Sequence, residues 1–155
     1  MKSLLGLLLI PFLLAADPKC SPTYTYQADL KICWRWLKAY APWSWAKDDC
    51  SQELSGNLPS IHSGYENALY AQIFANITGD TRWWLGAQKG ADGQWKWTDG
   101  TPFDFQRFAQ TNDTQSDCAY LDAKDQQWKL ELCKQQSQWF SFVCVKLPIP
   151  SISQP

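Results

Sequence analysis

The chain has one histidine and one methionine, and its charges nearly cancel, with 14 Lys and Arg against 15 Asp and Glu. Each scarcity excludes something. Without a basic excess there is nothing to neutralise phosphates, so nucleic acid is not an expected partner. No Cys-x-x-Cys occurs and only His62 offers an imidazole, so a structural zinc site is not expected. There is no glycine-rich phosphate loop, collagen repeat, heptad run or internal repeat. After the first residues no apolar run approaches the length of a membrane span. A monomer or simple dimer is therefore the expected assembly.

What is present is aromatic and sulfur-rich. The 155 residues include 10 Trp and 6 Cys, and 45% are hydrophobic. That is one globular domain with much aromatic surface to bury or to present. Met1 and Lys2 precede an apolar run from Leu4 to Leu14, then Ala15-Ala16 and the polar Asp17-Pro18-Lys19. This is the layout of a signal peptide over residues 1–16, too short as a helix to cross a bilayer. The expected product is secreted, with a domain over 17–147 and a flexible tail over 148–155. All six cysteines follow the leader, which implies three disulfides among 15 possible pairings. Two sequons, at Asn76 and Asn112, fit a glycosylating pathway.

Tyr24-Thr25-Tyr26 and Cys33-Trp34-Arg35-Trp36 alternate and read as a hairpin. Trp43 to Leu54 reads as a helix with Trp43, Ala46, Cys50 and Leu54 on one face. Ser63 stands three residues before Glu66, a capping box opening a second helix, with Tyr65, Leu69, Ile73 and Ile77 as its expected core stripe. Gly79-Asp80 ends that helix. Strand signals follow at residues 83–86, 95–97, 118–121, around Trp128 and at 140–145, with a long polar loop over 98–116. Helices first and strands later make an α+β fold.

Several ordered segments resemble the C-type lectin-like domain. Residues 43–50, Trp-Ser-Trp-Ala-Lys-Asp-Asp-Cys, are like the family's first helix. Gly56 to Ser63 with Glu66-Asn67 is like its link into the second. Trp84-Leu85-Gly86-Ala87 is similar to its Trp-Ile-Gly-Leu strand. Trp95 to Pro102 resembles the opening of its long loop, and Asp117-Cys118, Trp128, Cys133 and Phe142-Val143-Cys144 complete the pattern. The resemblance spans about Cys20 to Val145. It implies two helices, small antiparallel sheets and a long loop region, held by Cys20–Cys33, Cys50–Cys144 and Cys118–Cys133. It also implies that Trp43, Trp84, Trp97 and Trp128 belong to the core, leaving Trp34, Trp36, Trp45, Trp83 and Trp139 less constrained.

Sugar-binding members of that family hold Ca²⁺ with oxygen ligands from a Glu-Pro-Asn or Gln-Pro-Asp tripeptide, an acidic residue before an Asp-Cys pair, and Asn-Asp after a Trp. At those positions this chain has Gln110-Thr111-Asn112, Ser116 and Lys129-Leu130. Thr111 removes the proline on which a cis peptide depends, and a non-proline cis bond costs about 3 kcal/mol. No carboxylate remains there, so no cofactor is expected at the principal position. Asp92, Asp113 and Asp117 fall near acidic positions of an auxiliary ion site, or are simply solvated loop carboxylates. Gln110, Asn112, Trp128 and Lys129 are the candidate ligand-contacting residues. A general base would need a nucleophile and an orienting group nearby, whereas the resemblance implies a structural place for His62 in the link before the second helix, and no carboxylate pair stands out, so the chain reads as a non-enzyme. The expected function is recognition of a glycan or glycoprotein without Ca²⁺ at the principal site. A protein ligand is the alternative, and a secreted hydrolase is the competing class.

Overall fold

The computed structural model describes residues 19–53, 56–134 and 137–150. The leader over 1–16 and residues 151–155 of the tail lie outside them. The hairpin is formed by β1 (Thr25–Gln27) and β2 (Ile32–Ala41). Then come α1 (Trp43–Asp48), a wider π turn (Asp49–Glu53) and α2 (Gly64–Thr78). Five strands follow: β3 (Arg82–Lys89), β4 (Trp95–Trp97), β5 (Cys118–Asp122), β6 (Gln127–Glu131) and β7 (Phe140–Lys146). They join in the order β1-β2-β7-β3-β5-β6, with β4 on β3. Every pairing is antiparallel except β3 with β7, which meet at the single parallel pair Trp83↔Ser141.

The three disulfides are Cys20–Cys33, Cys50–Cys144 and Cys118–Cys133. Cys50–Cys144 closes 94 residues of chain, and both of its cysteines are fully buried. By loop-closure entropy it is the strongest of the three, at about 4–5 kcal/mol. Cys50 sits in the π turn, so the regular helix expected to run from Trp43 to Leu54 is α-helical only to Asp48. Leu54 lies outside the described residues.

The start of α2 also departs from expectation. Ser63 Oγ accepts the Glu66 amide at 3.1 Å, but the Glu66 carboxylate accepts the His62 amide at 2.6 Å rather than that of Ser63. The expected stripe is corrected too. Tyr65 is 71% exposed, and the buried side chains are Asn67, Tyr70, Ala71 and Phe74. A spacing of four overshoots a 3.6-residue turn by roughly 40° per step, so it winds off the core. The spacing 67, 70, 71, 74 stays on one face. Gly79, at φ 75°, closes the helix through its amide to the Ala75 carbonyl.

Strand alternation sends Trp83 and Trp84 to opposite sides of the sheet. Trp84 packs with Trp43, Phe140, Phe142 and the Cys50–Cys144 pair. Trp83 packs with Phe74, Leu121, Trp97 and Trp128. Trp83, one of the five less constrained indoles, is thus core at 1% exposure, and its N–H donates to Thr78 Oγ1. Trp43 and Trp84 also bury their rings with the N–H satisfied, donating to the Leu85 and Ala41 carbonyls. Ile149 donates to the Lys19 carbonyl, laying the two ends of the described chain side by side.

Candidate functional site

The long loop after β4 is irregular but anchored. Trp128 stands at its base, and the rings of Trp97, Phe103, Phe105 and Phe108 surround it at 5.4, 6.2, 5.7 and 5.4 Å. Phenylalanines every two or three residues along a polar segment give the loop an apolar underside. Its backbone is tied as well. Trp128 N–H donates to the Arg107 carbonyl and Ala109 N–H to that of Trp128, both at 2.9 Å. Trp128 is therefore wholly buried, 0% exposed, with its indole N–H on Asn67 Oδ1. This removes it from the candidate ligand contacts, because aromatic packing on every side leaves no ring face open.

Beyond Ala109 the chain turns outward, and Gln110, Thr111, Asn112 and Asp113 are exposed. No peptide bond among the described residues is cis. A cleft of about 280 Å³ is lined by Ala109, Gln110, Thr111, Asp113, Lys129 and Leu130. Gln110 and Lys129 both line it. Asn112 is exposed beside them but does not line the cleft.

Lys129 is fixed on β6. Its ammonium lies 2.7 Å from Asp122 Oδ2 and 3.0 Å from Asp125 Oδ2. The Asp122 side chain is only 10% exposed. Hydrogen bonds that the ammonium donates to Asp122 first and Asp125 second push the Lys129 pKa well above the ordinary lysine value. Asp125 is held below the carboxylate range by the Gln127 amide first and Lys129 second. Neither acid stood out in the sequence. The only signal for Asp125 is its place four residues before Lys129, across the β5–β6 turn.

Ser116 is 5% exposed, and its hydroxyl and amide both serve Asp113. Those bonds, with the Gln115 amide, depress the Asp113 pKa. The cleft thus combines one amide side chain, one carboxylate already engaged by its own loop, and an ammonium. A hard divalent cation wants six to eight oxygens and several carboxylates. This donor set does not fit Ca²⁺.

The auxiliary trio does not assemble either. Asp92 caps the β3–β4 turn and pairs with Lys96 at 2.7 Å, Asp113 serves its own loop, and Asp117 accepts the Cys133 amide at 2.8 Å. Among the described residues, the metal-ligand atoms that do converge are those of Asp117, Cys118 and Cys133, and the two sulfurs there are bonded to each other. His62 pairs with Asp104 at 2.8 Å, where its hydrogen bond lowers the Asp104 pKa.

The Lectin C-type domain family matches residues 39–146. This chain belongs to that family. The lectin domain is 32% identical over 96 residues to the C-type lectin lectoxin-Lio1 of Erythrolamprus poecilogyrus, a match spanning 61% of this chain and 58% of that one. It is 26% identical over 137 residues to the galactose-specific lectin nattectin of Thalassophryne nattereri, spanning 84% and 82% of the two chains. In three dimensions it is similar to a calcium-independent type II antifreeze protein, with TM-score 0.68, 25% identity, and 85% and 97% of the chains covered. The first two of these relatives are named as lectins and the third as an antifreeze protein. Among the described residues no helix is long and apolar enough to cross a membrane.

Proposed function

We propose that this chain is a secreted, single-domain lectin-like module, not an enzyme, whose long-loop face binds a carbohydrate or glycoprotein without Ca²⁺ at the principal position. The observation that carries the reading is Lys129, whose ammonium is bound to Asp122 and Asp125 where the family's resemblance calls for a neutral Asn ligand. The ammonium occupies the carboxylates nearest it, and the Gln110 cleft itself offers Asp113 as its one carboxylate, so the oxygen shell of a divalent ion is not supplied. Recognition then falls to amide and hydroxyl groups on Gln110, Thr111 and Asn112, which are exposed and follow directly on Ala109, whose amide is tied to the Trp128 carbonyl.

Secretion is supported by the leader-like run over 1–16, by the disulfides, and by sequons whose Asn76 and Asn112 are both exposed. Cleavage after Ala16 leaves a domain over 17–147 as a monomer or simple dimer, and both asparagines carry glycans in this reading. The relatives' names divide between sugar recognition and ice structuring. The test is a glycan array probed with the secreted protein in Ca²⁺ and in EDTA, beside a thermal-hysteresis measurement. Glycan binding that survives EDTA supports the proposal. Binding lost in EDTA overturns the mechanism, and hysteresis without glycan binding replaces it with ice recognition.

A further inference from the structure

A larger cavity, about 570 Å³, lies between the hairpin and the start of α2, and it shares no lining residue with the Gln110 cleft. Its size is that of a small-molecule site. Leu30, Ile32, Val145 and Leu147 make one side apolar, while Ser60, Glu66, Tyr70 and Asp99 make the other polar.

Tyr70 is the informative residue. It is 4% exposed and lines the cavity, yet its hydroxyl has no hydrogen-bond partner among the described residues. The ring is buried while the hydroxyl opens on the cavity, so its hydrogen-bonding capacity is turned to whatever occupies that space. Burial first, then the charges of Glu66 and Asp99, raise its pKa and keep it a neutral O–H.

The two acids are held in place. Glu66 spends one oxygen on the His62 amide. Asp99 takes the Ser60 hydroxyl at 2.6 Å and the Thr101 amide and hydroxyl at 2.9 and 2.6 Å. Both retain lone pairs. The lysines of the lining come from other segments than the two acids, alternating in sequence with the apolar residues. Lys31 and Lys146 belong to the hairpin and β7, with the Lys146 ammonium 4.2 Å from the Tyr24 ring centre, and His62 is paired with Asp104.

We propose that this cavity binds an apolar molecule bearing an ammonium group, with the ammonium on Tyr70, Glu66 and Asp99 and the apolar body on Leu30, Ile32, Val145 and Leu147. An ammonium has three donors and no acceptor, which suits two carboxylates and a phenol oxygen. An anion meets two like charges there, and an uncharged hydroxyl gains hydrogen bonds without charge assistance.

The test is calorimetric titration of the full secreted protein with three probes sharing one ring: 2-phenylethylammonium, 2-phenylethanol and phenylacetate. The ammonium is expected to bind at least about tenfold more tightly than the alcohol, and the acid not measurably. Y70F deletes only the unpaired hydroxyl, so it should keep or raise the melting temperature while weakening the ammonium about tenfold. E66Q keeps an oxygen for the His62 amide and should weaken the ammonium as well. The proposal is overturned if phenylacetate binds as well as the ammonium, if no probe binds at millimolar concentration, or if both variants bind the ammonium unchanged.

Discussion

Asn67 Oδ1 accepts the Trp128 indole N–H at 2.7 Å, and the same amide donates through Nδ2 to the Gln126 carbonyl at 2.8 Å. One buried side chain on α2 thereby fixes the tryptophan on which the long loop rests. It satisfies the buried indole N–H and shares the Gln126 carbonyl with Arg107 Nε, which donates to it at 3.0 Å, and this accounts for an asparagine on the core face of a helix.

Replacing it should be costly for that reason. Asn67→Ala leaves the buried indole N–H unpaired and takes one of two donors from the Gln126 carbonyl, and is expected to destabilise the domain by about 1–3 kcal/mol. Urea unfolding measures this. A loss under 1 kcal/mol is incompatible with the double role.

Lys129→Met tests the ammonium pair. It strands the Asp122 carboxylate, largely buried, and is expected to cost about 1–3 kcal/mol, while Asp125→Asn should cost under about 1 because Asp125 is substantially exposed. Equal losses from the two variants contradict the assignment of Asp122 as the principal partner.

Calcium should leave the wild-type protein indifferent. A ligand that binds only the native state raises the melting temperature with concentration. Millimolar Ca²⁺ against EDTA is therefore expected to produce no shift, and a rise of several degrees excludes the reading of the Gln110 cleft given above.

Acid should weaken the fold. Asp92, Asp104, Asp113 and Asp125 are all held below the ordinary carboxylate value in the native state. The unfolded chain, with carboxylates near about 3.9, binds more protons at low pH, so stability rises with pH through that range. The contribution is present above about pH 4 and is lost as pH falls through the depressed native values. Lys129 has the opposite sign: its contribution is full below about pH 10 and disappears only as pH rises past its elevated value. Urea midpoints at pH 3 and pH 6 decide the acid limb, and a higher midpoint at pH 3 contradicts it.

Gly86 is a steric requirement. A Cβ there comes within 2.7 Å of Thr98 Oγ1 and 3.0 Å of the Leu58 carbonyl oxygen. Gly86→Ala is expected to cost about 1–3 kcal/mol in thermal or urea unfolding, because backbone on one side cannot yield. A neutral result means that β3 and the Leu58 segment are not in close contact.

Much of this architecture was legible beforehand. The Trp-Leu-Gly-Ala strand, the Trp-Lys-Trp pair and the ordered cysteines pointed to the fold, because motif order along a chain survives without coordinates. Strand periodicity likewise separated Trp95 and Trp97 from Lys96, since alternation of two is a local property. The helix stripe failed because every-fourth spacing looks apolar along Tyr65, Leu69, Ile73 and Ile77 whichever way the helix is turned, and what turns it is the packing of Phe74 on Trp83. Trp128 was named as both core and contact. Its burial depends on phenylalanines 20 and more residues away that fold back over it.

By itself, then, the amino-acid order determined the fold class, the disulfide partners through family likeness, and the absence of carboxylates at the principal ion positions, held by Gln110, Asn112, Ser116, Lys129 and Leu130, since these depend on residue identity and sequence order. Only the folded chain decided that Lys129 is held by Asp122 and Asp125, that Asn67 supports Trp128, and that Tyr70 faces a cavity with its hydroxyl unmatched. Those are distances between groups remote in sequence, and long-range distances are set when helix, loop and sheet close around one another.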